Sequence, residues 1–468
     1  MAFQPIEHYF PNLETHSCRD NTPTPTPTPM PMPLLRSQPS LLWRAHTEGM
    51  NSAGITSLDA VPPPSQKRHA IKVTHDAIRQ IRGGHPWVFD GSVVSVNDHA
   101  MGAAGDLAVV FDADRQFVAI GLYDPASPIR VRILHQGKPV TIDGAWWTKM
   151  IRAAINRRQP VLAAGDTTGY RLIHGENDGL SGLILDRYDR TFVLKLYTAA
   201  WLPHLATLVP ILQRELDPER LVLRFSRDVA AGHLFGLHEG VALIGDTPTE
   251  PVLFNEHGLK FEANVVQGQK TGHFLDQRDN RSKVRPLAKG ADVLDLFACT
   301  GGFSVYAAAG GATSVHSVDI SGAALETAKR NMAHNGFIKN IQNCRHTTQV
   351  GDAFDVLKSF GEQKRLFDIV VVDPPSFARR NSDHDRALHA YRRLTRAALE
   401  LVANGGVLVQ SSCSSRVSND EFFEGLHAAA ASTPYRISEM LRTGHAADHP
   451  IGFAEGGYLK TLFARVAK

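Results

Sequence analysis

The spacing of hydrophobic and polar positions changes character three times along the chain. From Lys67, short apolar runs at 70–73, 87–89, 107–111, 117–122 and 129–134 are separated by Gly, Asp and Asn turns. That texture predicts a small β-rich unit of about 75 residues. Next, a helix carrying Trp146, Trp147, Met150 and Ile151 leads to Arg157-Arg158, and the segment RLIHGENDGLSGLILDRY sets an Asn-Asp-Gly turn before an apolar strand. Asp189-Arg190 turns the chain again into an apolar run at 192–196, so hairpins are predicted. Glu176 and Asp178 read as turn residues rather than as a paired acid and base. A further strand is expected from Glu256, and TGHFLDQRDNR enters a helix. From Val293 to the end, strands alternate with helices, which means a mostly parallel sheet. The last run, 458–466, is expected to return antiparallel.

The stretch 293–319, VLDLFACTGGFSVYAAAGGATSVHSVD, carries the densest signal. An apolar strand ends at Asp295, a small-residue loop holds Ala298, Cys299, Thr300, Gly301 and Gly302, a helix covers about 303–309, and a second strand closes on Asp319. A glycine turn at the carboxyl end of the first strand lies where open α/β sheets bind ligands, and a carboxylate ending the second strand suits ribose hydroxyls. The loop lacks the third glycine of a dinucleotide fingerprint, and bulky Phe303 follows Gly302, which disfavours a nicotinamide dehydrogenase. Ser321 is placed to cap the next helix, which Asn335-Gly336 stops. Gly351-Asp352-Ala353 follows the third strand, FDIVVVDPP supplies Asp373 after the fourth, a helix is expected over 385–402, and a strand over 406–410 runs into Ser-Ser-Cys413-Ser-Ser. Gln277, with Phe274 and Arg278, falls on a helix able to cover a ligand at that edge. Cys413 stands in a polar loop at the same sheet edge, whereas an inert core thiol prefers apolar neighbours.

Composition narrows the class. Hydrophobic residues make up 43% and charged residues 21%, as in soluble globular chains, and no run reaches the roughly 20 apolar residues of a membrane span. The N-terminus has no secretory pattern. Cys18, Cys299, Cys344 and Cys413 form no C-x-x-C pair, which argues for a reducing, cytoplasmic compartment and no structural zinc or other metal site. Net charge is only +3, but 66–160 holds thirteen basic against eight acidic residues, compatible with phosphate contacts. Residues 1–65, with TPTPTPTPMPMP and Pro62-Pro63-Pro64, are expected to be a disordered leader.

Four strand ends in the order Asp295, Asp319, Gly351-Asp352-Ala353 and Asp373-Pro374-Pro375 resemble class I S-adenosylmethionine methyltransferases. HPWVFDGS resembles the entry to PUA domains, small β-barrels that bind RNA. Taken with RLIHGENDGLSGLILDRY, FLDQRDNR, DLFACTGGFS, VVVDPPSF, SSCS and AADHP…GYLK, the chain from Lys67 onward is similar to bacterial large-subunit ribosomal RNA methyltransferases that make 5-methylcytosine. The resemblance implies an α/β fold with a leader (1–65), a PUA domain (66–140), an α+β middle domain (141–265) and a Rossmann-like methyltransferase domain (266–468). It implies S-adenosyl-L-methionine as cofactor and ribosomal RNA as partner, with no membrane, and it leaves open whether the protein is a homodimer.

The resemblance also implies roles. Cys413 adds to carbon 6 of cytosine and Asp373 hydrogen-bonds nitrogen 3 of the base. Asp295, Thr300, Gly301 and Gly302 face the methionine moiety, Asp319 the ribose, and Asp352 with Ala353 the adenine. Phe297, Phe303, Ile320, Pro374 and Gln277 complete the expected cofactor set, and Arg68, Lys72 and Arg82 are the expected RNA contacts, with Arg79 a further candidate. Cys299 is a second thiol, expected to pack beneath the cofactor, and Ser376 replaces the cysteine that other RNA cytosine methyltransferases carry after Asp-Pro-Pro. A relative acting on another atom, such as guanine N7, needs no Cys413. A non-catalytic RNA-binding assembly factor needs none of the four aspartates.

Overall fold

The computed structural model describes residues 56–97, 102–378 and 381–468. Residues 1–55 of the leader, Cys18 among them, lie outside these. Its last ten residues, 56–65, do not match the expected disorder: the Thr56 N–H donates to the Leu243 carbonyl at 3.0 Å, Val61 is buried in the core of the middle sheet, and the Ser65 N–H donates to Asp106 Oδ1 at 3.1 Å, because Leu58 and Val61 find apolar cover there.

The first sheet contains β1 (Arg68–Val73), β2 (Trp87–Phe89), β3 (Val93–Asn97), β4 (Leu107–Phe111), β5 (Phe117–Tyr123) and β6 (Ile129–Gln136). Its order is β2-β6-β5-β4-β1-β3, and β1 runs parallel to β4 while the other pairs are antiparallel. Period-two alternation places Ile71, Val110, Ala119 and Val131 in its core beneath the helix His75–Arg82, which Thr74 caps through the Ala77 N–H.

The middle sheet is β7 (Gly169–His174), β8 (Leu183–Tyr188), β9 (Thr191–Leu196), β10 (Arg220–Phe225) and β11 (Ala242–Ile244), in the order β11-β10-β9-β8-β7. Both of its faces are covered. Phe192, Leu194, Leu221 and Leu223 join Trp147, Trp201 and Leu208 in one core, while Val193, Val222 and Tyr188 join the core that continues into the C-terminal sheet. Between the two sheets lies the hairpin of β12 (Val252–Glu256) and β13 (Leu259–Ala263), so Glu256 ends a strand and His257-Gly258 is the turn.

The C-terminal sheet holds β14 (Asp292–Leu296), β15 (Ser314–Asp319), β16 (Arg345–Val350), β17 (Phe367–Val372), β18 (Val402–Ser412), β19 (Arg436–Thr443) and β20 (Lys460–Ala467). The order is β16-β15-β14-β17-β18-β20-β19, with only β20 antiparallel to its neighbours. Alternate residues face opposite layers. Val293, Ile369, Val371, Val407 and Val409 pack on one side, and Leu294, Leu296, Val370, Val372 and Leu408 on the other. The helix Gly302–Ala309 is buried on every side, as its mainly apolar GFSVYAAA requires, with the Ser304 hydroxyl satisfied by Asp295 and Ser317. Ser321 caps the helix Gly322–His334, and Ser418 with Glu421 forms a capping box on Asn419–Ala431.

The helix expected over 385–402 stops earlier, at Leu399, and β18 begins at Val402 rather than at Gly406. The ladder absorbs the Asn404-Gly405-Gly406 turn as a bulge. Phe367 pairs with Val402 but Ile369 pairs with Val407, and Gly405 takes φ +80°.

Candidate active site

Strand order reverses at β14, between β15 and β17, and the carboxyl ends of these strands therefore open onto a common crevice. Asp295, Asp319, Asp373 and Cys413 all lie at that edge, at or just beyond the ends of β14, β15, β17 and β18.

Asp295 is 1% exposed. Its Oδ2 accepts from Ser304 Oγ at 2.6 Å, and Oδ1 has no hydrogen-bond partner. Burial pushes its pKa up to about 7; the Ser304 hydrogen bond opposes the shift and the Asp373 carboxylate adds to it. An orphaned carboxylate oxygen in a buried crevice needs a donor from a ligand, and the cationic methionine end of S-adenosylmethionine provides that chemistry.

The glycine loop turns through three left-handed residues, Phe297 (φ 60°), Cys299 (φ 47°) and Gly301 (φ 75°). A Cβ on Gly301 would stand 2.7 Å from Ala328 Cβ, and one on Gly302 would stand 2.7 Å from Arg281 Cδ. Packing against the next helix and a buried arginine thus already demands both glycines, apart from any ligand. Thr300 accepts from Asn331 Nδ2 at its carbonyl (2.9 Å), which pins the loop to the same helix.

Asp319 uses both carboxylate oxygens on its own surroundings, taking the Cys299 N–H on Oδ2 (2.9 Å) and the Ser321 N–H on Oδ1 (2.8 Å). Ile320 beside it is 75% exposed. Asp352 is exposed and caps the helix Ala353–Glu362 through the Phe354 N–H, while Ala353 and Phe303 are buried in the cores. Cys299 lies in the loop under the crevice, its thiol pushed up to about 11 by burial and then by Asp319.

The second cluster centres on Asp373. Gln277 Nε2 donates to Asp373 Oδ1 at 2.8 Å, and Gln277 Oε1 accepts from Asn280 Nδ2 at 2.7 Å. Gln277 therefore holds a site carboxylate as well as facing the crevice. Burial, then Asp276, raises Asp373 to about 7. Cys413 Sγ contacts the Pro374 carbonyl at 3.7 Å, and the thiol is pushed up to about 12 by burial, then by Asp373. Lys270 does favour the thiolate, but the two carboxylates and burial outweigh it in the ligand-free protein.

Residues that sequence reasoning passed over complete the cluster. Lys270, at φ 53°, binds buried Asp276 Oδ2 at 2.6 Å, and Tyr458 O–H donates to the same oxygen at 2.8 Å. Burial opposes ionisation of Asp276, yet Lys270 and His449 hold it well below the usual carboxylate range. Asp276 is thus a buried ion-pair member. Arg278 binds Asp448 Oδ2 at 2.9 Å, and Asp448 also takes the Arg171 N–H at 2.7 Å, so Arg278 ties the two sheets together rather than covering a ligand. Glu176 and Asp178 do lie in a turn, the one-turn 3-10 helix Gly175–Asp178 that left-handed Gly179 ends, and they are paired as well. Glu176 accepts from Trp87 Nε1 (2.9 Å) and Arg132 (3.2 Å), and Asp178 is bidentate to buried Arg158 at 2.7 and 2.6 Å. Only the QKTGHFLDQRDNR and GYLK stretches themselves signalled this cluster.

Of the expected RNA contacts, Arg68 and Lys72 are exposed on one face of β1. Arg82 pairs with Asp112 Oδ2 at 2.8 Å, next to Phe111, which lies opposite Lys72 in the ladder, so Lys72 and Arg82 share one end of the sheet. Arg79 pairs with Asp76, Arg130 with Asp90 and Arg152 with Glu215, so these three guanidinium groups are held by carboxylates. Among the described residues no cluster of metal-ligating side chains occurs, and no helix is long and apolar enough to cross a membrane.

A seven-stranded sheet with one antiparallel strand, a glycine turn at its reversal point and an unsatisfied carboxylate there define a class I S-adenosylmethionine-dependent methyltransferase. Residues 214–445 match the S-adenosylmethionine-dependent methyltransferase family, and residues 71–136 match a PUA-like domain. The chain is 44% identical over 413 residues to a ribosomal RNA large subunit methyltransferase of Deinococcus radiodurans, an alignment spanning 87% of this chain and 100% of that one. With ribosomal RNA large subunit methyltransferase I of Shewanella frigidimarina it shares 36% over 406 residues, 85% of this chain and 99% of the other. A solved methyltransferase complexed with SAH matches the fold with a TM-score of 0.71 at 21% identity, covering 85% of this chain and 99% of that chain. A Streptococcus mutans methyltransferase does so with 0.71 at 20%, with the same coverage. The chain belongs to the ribosomal RNA large subunit methyltransferase family, and S-adenosylmethionine is its methyl donor.

Proposed function

We propose that this protein methylates carbon 5 of a cytosine in large-subunit ribosomal RNA through a covalent adduct to Cys413. The observation that carries the reading is the placement of the Cys413 thiol against the Pro374 carbonyl, directly beside a carboxyl group, Asp373, that Gln277 orients. The relatives are large-subunit ribosomal RNA methyltransferases, which supports RNA as substrate, and the PUA-like domain with exposed Arg68 and Lys72 supports phosphate contacts.

Carbon 5 of cytosine is a poor nucleophile. The Cys413 thiolate forms an Sγ–C6 bond; the C5–C6 π pair shifts to make a C4–C5 double bond, the C4–N3 π pair moves onto nitrogen 3, which takes a proton, and carbon 5 is left enamine-like. Asp373, raised to about 7, is partly protonated at neutral pH and can give nitrogen 3 that proton from Oδ2 while Gln277 holds Oδ1. Bound S-adenosylmethionine supplies the electrophilic methyl group. As carbon 5 takes the methyl group, the C4–N3 double bond re-forms and nitrogen 3 gives its proton back to the Asp373 carboxylate; a base then removes the carbon 5 proton, and that electron pair re-forms the C5–C6 double bond and expels Cys413 as thiolate. Asp295 and Asp319 hold the cofactor's methionine and ribose ends, and the Asp352–Ala353 turn borders the adenine. The target base reaches this crevice single-stranded or flipped out.

The test is a nucleoside mass spectrum of large-subunit RNA incubated with protein and methyl-labelled cofactor. Labelled 5-methylcytidine made by the wild type and absent with Cys413→Ala is expected. A label on guanosine, or an undiminished Cys413→Ala, discards the assignment.

A further inference from the structure

Cys413 carries a difficulty of its own. Burial and Asp373 put its thiol at about 12, so the nucleophilic form is costly to make. Around it stand Asp373, Asp276 and Lys270 at the crevice, Tyr391 on the helix His384–Leu399, and Lys460 on β20. The two carboxylates oppose the thiolate. Lys270 favours it, but that ammonium is already paired with Asp276 at 2.6 Å.

Lys460 differs. It opens β20 directly across the ladder from Ser412, the residue before Cys413. Its Nζ donates to the Ser414 carbonyl at 2.7 Å and to the Val417 carbonyl, so it grips the chain just after Cys413. The residue is 2% exposed, and no carboxylate lies within ion-pairing distance of it among the described residues; Glu421 is the nearest acidic influence. An ammonium buried without a counter-ion costs several kcal/mol. Neutral donors would hold two carbonyls as well, and two carbonyls leave one of the three ammonium N–H groups free.

We propose that Lys460 is the positioning residue of Cys413, fixing the 412–417 segment through two carbonyls and supplying the uncompensated positive charge that stabilises the Cys413 thiolate. This rests on the reading of Cys413 as nucleophile. On ionisation the S–H bond breaks, its electron pair stays on sulfur, the proton leaves to solvent, and the ammonium keeps its three protons. Burial lowers the lysine to about 8, opposed by Cys413 and then Glu421, so it carries its charge at neutral pH.

Alkylation of Cys413 by iodoacetamide, followed by peptide mass spectrometry from pH 7.5 to 10 on the full chain without RNA or cofactor, reads this ionisation directly. Cys299 and Cys344 serve as internal references. Lys460→Gln keeps donors for the two carbonyls and removes the charge, whereas Lys460→Arg keeps both. The Gln variant is expected to modify Cys413 up to about tenfold more slowly at pH 7.5, a shift of about one pKa unit, with the Arg variant within about threefold of wild type and the Gln difference shrinking toward pH 10 as Lys460 loses its charge. A folded Gln variant that alkylates Cys413 at the wild-type rate overturns the proposal. Should the Gln variant not fold, Cys413→Asp and Cys413→Asn are compared with Lys460 intact. The Asp variant is expected to melt no lower than the Asn variant at pH 7.5, and an Asp variant that melts well below it overturns the proposal. The two readings fail separately. A normal alkylation profile with no adduct on 5-fluorocytosine RNA rejects the nucleophile, and the reverse pattern rejects the lysine.

Discussion

Cofactor binding should be linked to a proton, because Asp295 meets its ligand with a carboxyl group poised near neutrality. Burial raises that group to about 7, and its Oδ1 awaits a donor. A cationic ligand group prefers the ionised carboxylate, so the affinity follows the ionised fraction of the free protein. That fraction is about a tenth at pH 6.0 and about three-quarters at pH 7.5, which makes binding about eightfold weaker at the lower pH, about 1.2 kcal/mol. The window stays below the titration of an α-amino group, near 8. Isothermal calorimetry at pH 6.0 in two buffers of different ionisation enthalpy should report release of close to one proton per cofactor bound, falling toward zero by pH 8. Asp295→Asn should flatten this dependence and weaken binding at pH 7.5 by about 10- to 100-fold, the value of one charge-assisted hydrogen bond. Asp373 also titrates near 7, so the measurement is repeated in Asp373→Asn, where loss of the neighbouring carboxylate moves the midpoint down. The stability of the ligand-free protein has the matching sign. A folded-state pKa above the unfolded 3.9 gives a contribution fully present below about pH 4 and lost as pH rises through 7. A dissociation constant that stays flat from pH 6.0 to 7.5 with no proton release would refute the reasoning.

Gly301→Ala should cost about 2–5 kcal/mol in denaturant unfolding, from a left-handed φ of 75° and a Cβ 2.7 Å from Ala328 Cβ. Adding Ala328→Gly should recover part of that loss despite its helix-propensity cost of about 1 kcal/mol, and strict additivity would show that the clash is absent. Arg278→Ala strands Asp448 as a buried charge and should lose about 3–5 kcal/mol in the same measurement, with Asp448→Asn milder. His449 and Arg278 hold Asp448 well below the usual carboxylate range against the opposing effect of burial. Its contribution is therefore intact above about pH 4 and lost only as pH falls through that depressed value, and an acid-unfolding curve unchanged in Asp448→Asn would contradict this. RNA carrying 5-fluorocytosine should trap the wild type as a covalent adduct visible on a denaturing gel, and Gln277→Leu, which releases Asp373 Oδ1, should slow trapping about 10-fold or more at cofactor concentrations that calorimetry shows to be saturating for the variant.

The order of strands and helices from Asp292 onward was legible in the sequence because apolar periodicity is a local property. VLDLF, SVHSVD and FDIVVVD each declare a buried strand, and their terminal residues fall at one sheet edge in any right-handed α/β fold. That was enough to bring Asp295, Asp319, Asp373 and Cys413 together. The β18 boundary was misread because a bulge at Asn404-Gly405-Gly406 continues a ladder that turn residues ordinarily end.

Tertiary structure decided the partners. Gln277 meets Asp373, Arg278 meets Asp448, and Lys460 meets the carbonyls of Ser414 and Val417, pairings that span from about forty to 170 residues of chain. No periodicity encodes such pairs, since a buried charge or amide is satisfied by whichever group the packed layers bring within 3 Å. The ionisation of the site follows the same logic. An aspartate at a strand end is an ordinary carboxylate in the sequence, and only the loss of water around Asp295 and Asp373, in a crevice they share, lifts both toward 7.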